Sequence, residues 1–154
     1  MPAINIDGFL EIDRIYEADK KLEYVRKNMR VDAKTLGTCQ GRYESQGVDL
    51  NRNYAFKYGL DDIGSSPDPC DEQFRGSGPF SEPETQAVKS FLDSHPDVKI
   101  AINIHAWGNL LITPYNYDSD RNNPELLKDP MNVAYEDLHQ NSGLPDNNLY
   151  GSGI

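Results

Sequence analysis

Three stretches of the chain hold side chains whose types and spacing suit chemistry. In Gly47-Val48-Asp49-Leu50-Asn51-Arg52-Asn53-Tyr54 an arginine sits in a Gly-flanked turn with an asparagine beside it. A guanidinium can hold a carboxylate through two parallel hydrogen bonds, and the amide adds a further donor. The same stretch also reads as a plain turn in which Asp49 and Asn53 bond their own backbone. Arg26-Lys27-Asn28-Met29-Arg30 is a basic cluster in an otherwise acidic chain, and alone it reads as a solvated charge run. His105 follows directly on the alternation Val98, Ile100, Ile102, Ile104. That places it at the end of a strand, where open α/β sheets carry ligand and catalytic groups, although a lone histidine is more often structural. His95, in a Ser-His-Pro turn, and His139, near a helix end where a cation suits the dipole, carry less.

Other patterns fail on inspection. Asp118-Ser119-Asp120-Arg121-Asn122 begins like a calcium loop but lacks the Gly and the Glu that such a loop needs further on. Gly76-Ser77-Gly78-Pro79 has no Gly-Lys-Ser after it, so it is no phosphate-binding loop. Two cysteines and three histidines form no CxxC or HxxxH pair, and no zinc-finger pattern results. Cys39 and Cys70 close one loop if the protein is exported and stay as thiols if it is cytosolic.

The elements that must position these residues are read from periodicity and punctuation. Residues 1–10 read as the end of a strand that breaks at Asp7-Gly8, and residues 11–30 as helix or irregular surface. Thr35 to Gly78 has the Gly, Asp, Ser and Pro content of a long loop, and a Cys39–Cys70 bridge would fasten it. Ser81-Glu82-Pro83-Glu84 predicts a helix start, with Ser81 as cap, Pro83 in the first turn and Glu84 closing a capping box. Val88, Phe91 and Leu92 share a face of that helix, which Pro96 stops. Val98 to Ile104 predicts a strand, Leu110 to Tyr115 another, and Met131 to Gln140 a helix with Gly143 beyond its end. Strand, helix and strand in that order imply a parallel α/β sheet.

Composition bounds what these elements serve. The 154 residues suit one domain, and 25 acidic against 15 basic side chains give a formal charge of −10. Phosphate binding depends on clustered Lys and Arg, so this balance argues against a nucleic-acid partner. The longest apolar run is interrupted by Asn103, too short for a membrane span.

Taken together and in order, the stretches resemble the zinc carboxypeptidases of the pancreatic carboxypeptidase A/B type. The resemblance rests on Pro2-x-x-Asn5-x-Asp7-Gly8, Arg26-Lys27-Asn28, Gly47 to Asn53, Pro69-Cys70 with Phe74-Arg75-Gly76, Phe80-Ser81-Glu82-Pro83-Glu84-Thr85, and Ile104-His105 leading to Leu111-x-x-Pro114-Tyr115. It implies an α/β fold with a mixed, mostly parallel sheet flanked by helices, here incomplete. It also implies roles: His105 as one ligand of a single Zn2+, Arg26 as the group that polarises the scissile carbonyl, and Asn51 and Arg52 as the grip on the substrate's terminal carboxylate. Cys39 and Cys70 match a disulfide pair, and Gln40 to Gln46 looks like an insertion beside it. Ala106-Trp107 stands where Ser-Tyr is usual.

A catalytic zinc needs three protein ligands and a water. The family's His-x-x-Glu, which supplies two, occurs nowhere in the chain, and its general-base glutamate and closing tyrosine belong downstream of Gly151-Ser152-Gly153-Ile154. The expectation is that residues 1–154 are the central part of one catalytic domain, without its N-terminal and C-terminal portions, which would arrive in cis or from a partner chain. The substrate is then a peptide or protein C-terminus and the setting extracellular. The floor of the specificity pocket would lie beyond Ile154, so the preferred C-terminal residue is left open. The competing reading is a non-catalytic module that binds peptide C-termini or serves as a structural subunit.

Overall fold

A computed structural model describes residues 3–30, 46–99 and 101–105, with 39, 117, 124 and 128 as isolated positions. The chain divides into two units, Met1–Ile100 and Ala101–Ile154. The predicted strand at Leu110 to Tyr115 and helix at Met131 to Gln140 fall outside the described residues, as does most of the Gln40 to Gln46 insertion.

The first helix, α1, spans Ile6–Asp19, so the opening residues are not a strand end. Asn5 overturns that expectation. Its Oδ1 accepts from Gly8 N at 3.0 Å, satisfying one of the orphan donors of a helix start, and Asp7 adds a favourable charge in the first turn. Gly8 makes a close approach rather than a turn, since a Cβ there would lie 2.5 Å from Asn5 Nδ2. The same Nδ2 donates to the carbonyls of Arg26 and Lys27, each at 3.2 Å. One side chain therefore caps α1 and holds the basic stretch. The helix ends at Lys20, whose left-handed backbone returns its N–H to Tyr16 O at 2.8 Å.

The second helix, α2, spans Pro83–Ser94 with Pro83 in its first turn, as the sequence predicts. Its capping differs from expectation. The cap position is Glu82, and no side chain of the start itself makes the cap bond. Asn53 makes it from outside: its Oδ1 accepts from Glu82 N at 3.2 Å and from the Thr85 hydroxyl at 2.7 Å. Ser81 is engaged elsewhere, its hydroxyl donating to Glu82 Oε1 at 2.8 Å, and Glu84 accepts from Asn28 Nδ2. Thr85 is the buried residue of α2, while Phe91 and Leu92 stay exposed. His95 caps the far end through Leu92 O and stacks on Phe91, with Pro96 following.

Between the helices the chain runs through turns around a 3-10 turn at Leu50–Arg52. Ser66 and Phe74 form an isolated parallel bridge, the one β pairing among the described residues. The predicted strand from Val98 to Ile104 is not formed at its described positions; Ile102 is 76% and Ile104 93% exposed. Alternation sets which faces a strand offers, but a strand exists only through a ladder, and no described segment supplies one.

The centre of the first unit is unusually polar. Among the described residues Val48 and Leu50 are its buried apolar ones, beside buried Lys27, Asn28, Asp49, Asn53, Glu82 and Thr85. Asn53 Nδ2 donates to Arg75 O at 2.8 Å, Gly78 O at 3.1 Å and Ser81 Oγ at 2.8 Å, so this one amide ties the 3-10 turn to the 75–81 turn and to α2. Replacing it strands several buried partners at once. Asn53→Ala is expected to lower unfolding free energy by about 2–4 kcal/mol, read from the urea midpoint. Asn53→Asp keeps the volume but turns donors into acceptors facing two carbonyls, and is expected to lose at least as much. Tyr54 beside it packs edge-on against Phe80 at 5.7 Å, and burial pushes its phenol up from the ordinary 10.0. The unfolded phenol then ionises first, so Tyr54 contributes stability that is present below pH 10.0 and is lost as pH rises through its folded value. Tyr54→Phe is expected to flatten that alkaline loss in pH-dependent thermal melts.

Candidate functional site

The arginine turn and the basic stretch meet on one carboxylate. The contact is built from the backbone: Asn28 N donates to Val48 O at 2.9 Å, and Val48 N donates back to Asn28 Oδ1 at 2.8 Å. Gly47, at φ +82°, allows this approach; a Cβ there would sit 1.3 Å from Asn28 O. Asn28 Nδ2 donates in turn to the buried Glu82 at 2.9 Å, and Arg30 reaches Ser81 O at 2.9 Å. Lys27 points away, its ammonium on Pro69 O at 2.8 Å and over the Phe74 ring. Burial pulls its pKa below the usual lysine value, against the charges of Asp71, Asp49, Asp68 and Glu72.

Asp49, next to Val48, is held by its own N–H on Phe74 O at 2.8 Å. Its Oδ1 accepts from Asn51 N at 3.1 Å, which shapes the 3-10 turn. Its Oδ2 accepts from Arg26 Nε at 2.5 Å and lies 3.8 Å from Arg52 Nε. One buried anion thus sits between two guanidiniums. Burial disfavours the Arg26 cation, but the Asp49 charge and hydrogen bond, helped by Tyr24, outweigh it and raise its pKa. For Arg52 burial wins: despite Asp49, its pKa falls, with the Arg26 charge pushing the same way. Both remain cations at physiological pH.

The two arginines are differently placed. The Arg26 side chain is 23% exposed and the Arg52 side chain 6%. Arg52 Nε also donates to Gly64 O at 2.5 Å and Nη1 reaches Asn51 O at 3.4 Å. Asn51 is exposed. Arg26 and Arg52 therefore meet on Asp49, and Asn51 touches the same turn through its backbone N–H on Asp49 and its carbonyl on Arg52. His105, also exposed, belongs to the second unit. Cys39 and Cys70 are joined in a disulfide. Among the described residues no three His, Cys, Asp or Glu side chains group so as to hold a metal ion. Sequence reasoning missed Asp49, Asn28 and Asn53 as organisers. Asp49 reads as a turn former, which it also is; Asn53 reads as one too, but its side chain bonds residues 75–85 instead, and neither it nor Asn28 signals partners that lie 20 or more residues away.

Residues 1–149 match the family model described as zinc carboxypeptidase. The chain is 39% identical over 116 residues to carboxypeptidase A1 of Rattus norvegicus, covering 75% of the chain and 26% of the relative. It is 36% identical over 134 residues to carboxypeptidase O of Homo sapiens, covering 83% and 31%. Among solved structures, bovine thrombin-activatable fibrinolysis inhibitor, in complex with tick carboxypeptidase inhibitor, aligns with a TM-score of 0.60 at 32% identity. That alignment covers 92% of this chain and 44% of the other, and the shared fold is α/β. The chain spans about a quarter to a third of the length of the curated relatives it matches.

Removing the shared anion is the direct probe of the corner. Asp49→Asn keeps the shape but leaves two cations facing each other without a counter-charge. It is expected to cost about 2–4 kcal/mol of unfolding free energy. An unchanged urea midpoint would show that the pair is not formed in solution.

Proposed function

The chain belongs to the zinc carboxypeptidase family, and from that premise we propose that it supplies the substrate-gripping part of a metallocarboxypeptidase site. The observation that carries this reading is the meeting of Arg26 and Arg52 on Asp49, with Asn51 exposed beside them. Asn51 and Arg52 grip the C-terminal carboxylate of a peptide or protein. Arg26, the more exposed guanidinium, faces the carbonyl of the bond to be cut and stabilises negative charge on its oxygen.

His105 is one ligand of the single zinc ion, which when bound supplies Lewis acidity and an activated water. Tested against the residues present, the donor set is incomplete: one exposed imidazole, no His-x-x-Glu in the sequence, and no three-donor cluster among the described residues. Residues 1–154 form the central part of one catalytic domain with a mixed, mostly parallel sheet, and the remaining ligands and the general base come from further portions in cis or from a partner chain. Hydrolysis belongs to that assembly. The Cys39–Cys70 bridge supports an extracellular setting, because disulfides persist where the surroundings are oxidising. The incomplete donor set also favours a second reading, a module that binds peptide C-termini without cutting them.

Native mass spectrometry and calorimetry with zinc separate these readings. The 154-residue chain alone is expected to hold zinc no more tightly than a lone surface imidazole and to hydrolyse no blocked dipeptide. Isolated from its source as a longer product or complex, it is expected to carry one zinc. Tight one-to-one zinc binding by the chain alone would overturn the incomplete-site reading. A zinc-free natural assembly that still binds peptide C-termini would establish the second.

A further inference from the structure

The geometry points to Tyr24 as a positioning residue for Arg26, an inference that rests on the proposed role of Arg26 and extends it. Arg26 offers three nitrogens. Nε donates to Asp49 Oδ2 at 2.5 Å, and Nη1 donates to the Tyr24 hydroxyl at 2.9 Å. Among the described residues Nη2 meets no partner, which leaves it for an incoming oxygen.

Asp49 alone fixes where the guanidinium sits but lets its plane swing about the Nε contact. A second bond on a different nitrogen removes that freedom, because the group is planar and delocalised. Tyr24 lies just before a stretch whose backbone is held. Two and three residues on, the Arg26 and Lys27 carbonyls are pinned by Asn5 Nδ2, and four residues on Asn28 is locked to Val48. Tyr24 is 61% exposed, so little packing rewards an aromatic residue here, and the contact it does make is its hydroxyl on Arg26. A hydroxyl is suited to this role: it accepts from the cation without neutralising it, whereas a second carboxylate would compete with the developing negative charge that Arg26 is to meet.

The test uses the full 154-residue chain labelled with 15N at arginine, with Tyr24→Phe as the variant. In the unmodified chain the Arg26 Nη signals are expected to be resolved by restricted rotation, with a nuclear Overhauser contact from an Arg26 Nη proton to the Tyr24 ring. In Tyr24→Phe they are expected to merge, while Arg52, held on Gly64 O, keeps its spectrum and reports an intact fold. The Overhauser contact needs no variant, so the inference stands or falls even if Tyr24→Phe folds poorly. Binding of N-acetyl-phenylalanine is expected to weaken by about threefold to tenfold, one ordinary hydrogen bond's worth. If neither protein binds that probe, the carboxylate-grip reading fails and the Arg26 spectrum still decides the positioning role. Identical Arg26 dynamics in both proteins, or tighter probe binding by Tyr24→Phe, would overturn the inference.

Discussion

The side-chain amide of Asn53 is the constraint on which the first unit depends. It is buried, and both of its ends are committed: the nitrogen to Arg75, Gly78 and Ser81, the oxygen to Glu82 and Thr85. Through it the start of α2, the 75–81 turn and the arginine turn share one origin. Asn28 repeats the arrangement a layer away, joining the basic stretch to Val48 on one side and to Glu82 on the other. The two arginines are thus referenced, through short chains of directional bonds, to the same helix start.

A centre of this kind trades one property for another. Apolar contacts are forgiving in angle and rewarding in energy, and here few are buried. Hydrogen bonds are individually worth little net, but they specify distance and direction and are costly to leave unmade. No described buried side-chain nitrogen or oxygen lacks a partner, so the network is complete where it is seen. That suits a corner whose task is to hold two like charges close together in fixed orientation. The exposed apolar residues Phe9 and Leu10 of α1 and Phe91 and Leu92 of α2 remain outside this network.

What the sequence made legible follows the range of each signal. Pro83 and Pro96 bound α2 because proline acts on its own backbone, and Asp49 shapes the turn through Arg52 because its bond to Asn51 N is local. The family resemblance found the disulfide, which spacing alone left open. The cap of α2 departs from the sequence pattern because Asn53, 29 residues before Glu82, takes the bond that Ser81 would offer locally. Asp7-Gly8 looks like a turn but lies inside α1, where the glycine is needed for the closeness of Asn5. The alternation from Val98 to Ile104 predicts a strand but says nothing of the neighbour that must complete it.

The Cys39–Cys70 bridge encloses the whole arginine turn, together with exposed Phe56, Leu60 and Ile63. Cleavage of the backbone anywhere between the two cysteines would therefore release no fragment. Asn53, on the near side of that exposed stretch, would still be bonded to Arg75 and Ser81 on the far side. A molecule nicked there would stay one covalent body until reduced, heavier only by the single water that the cleavage adds.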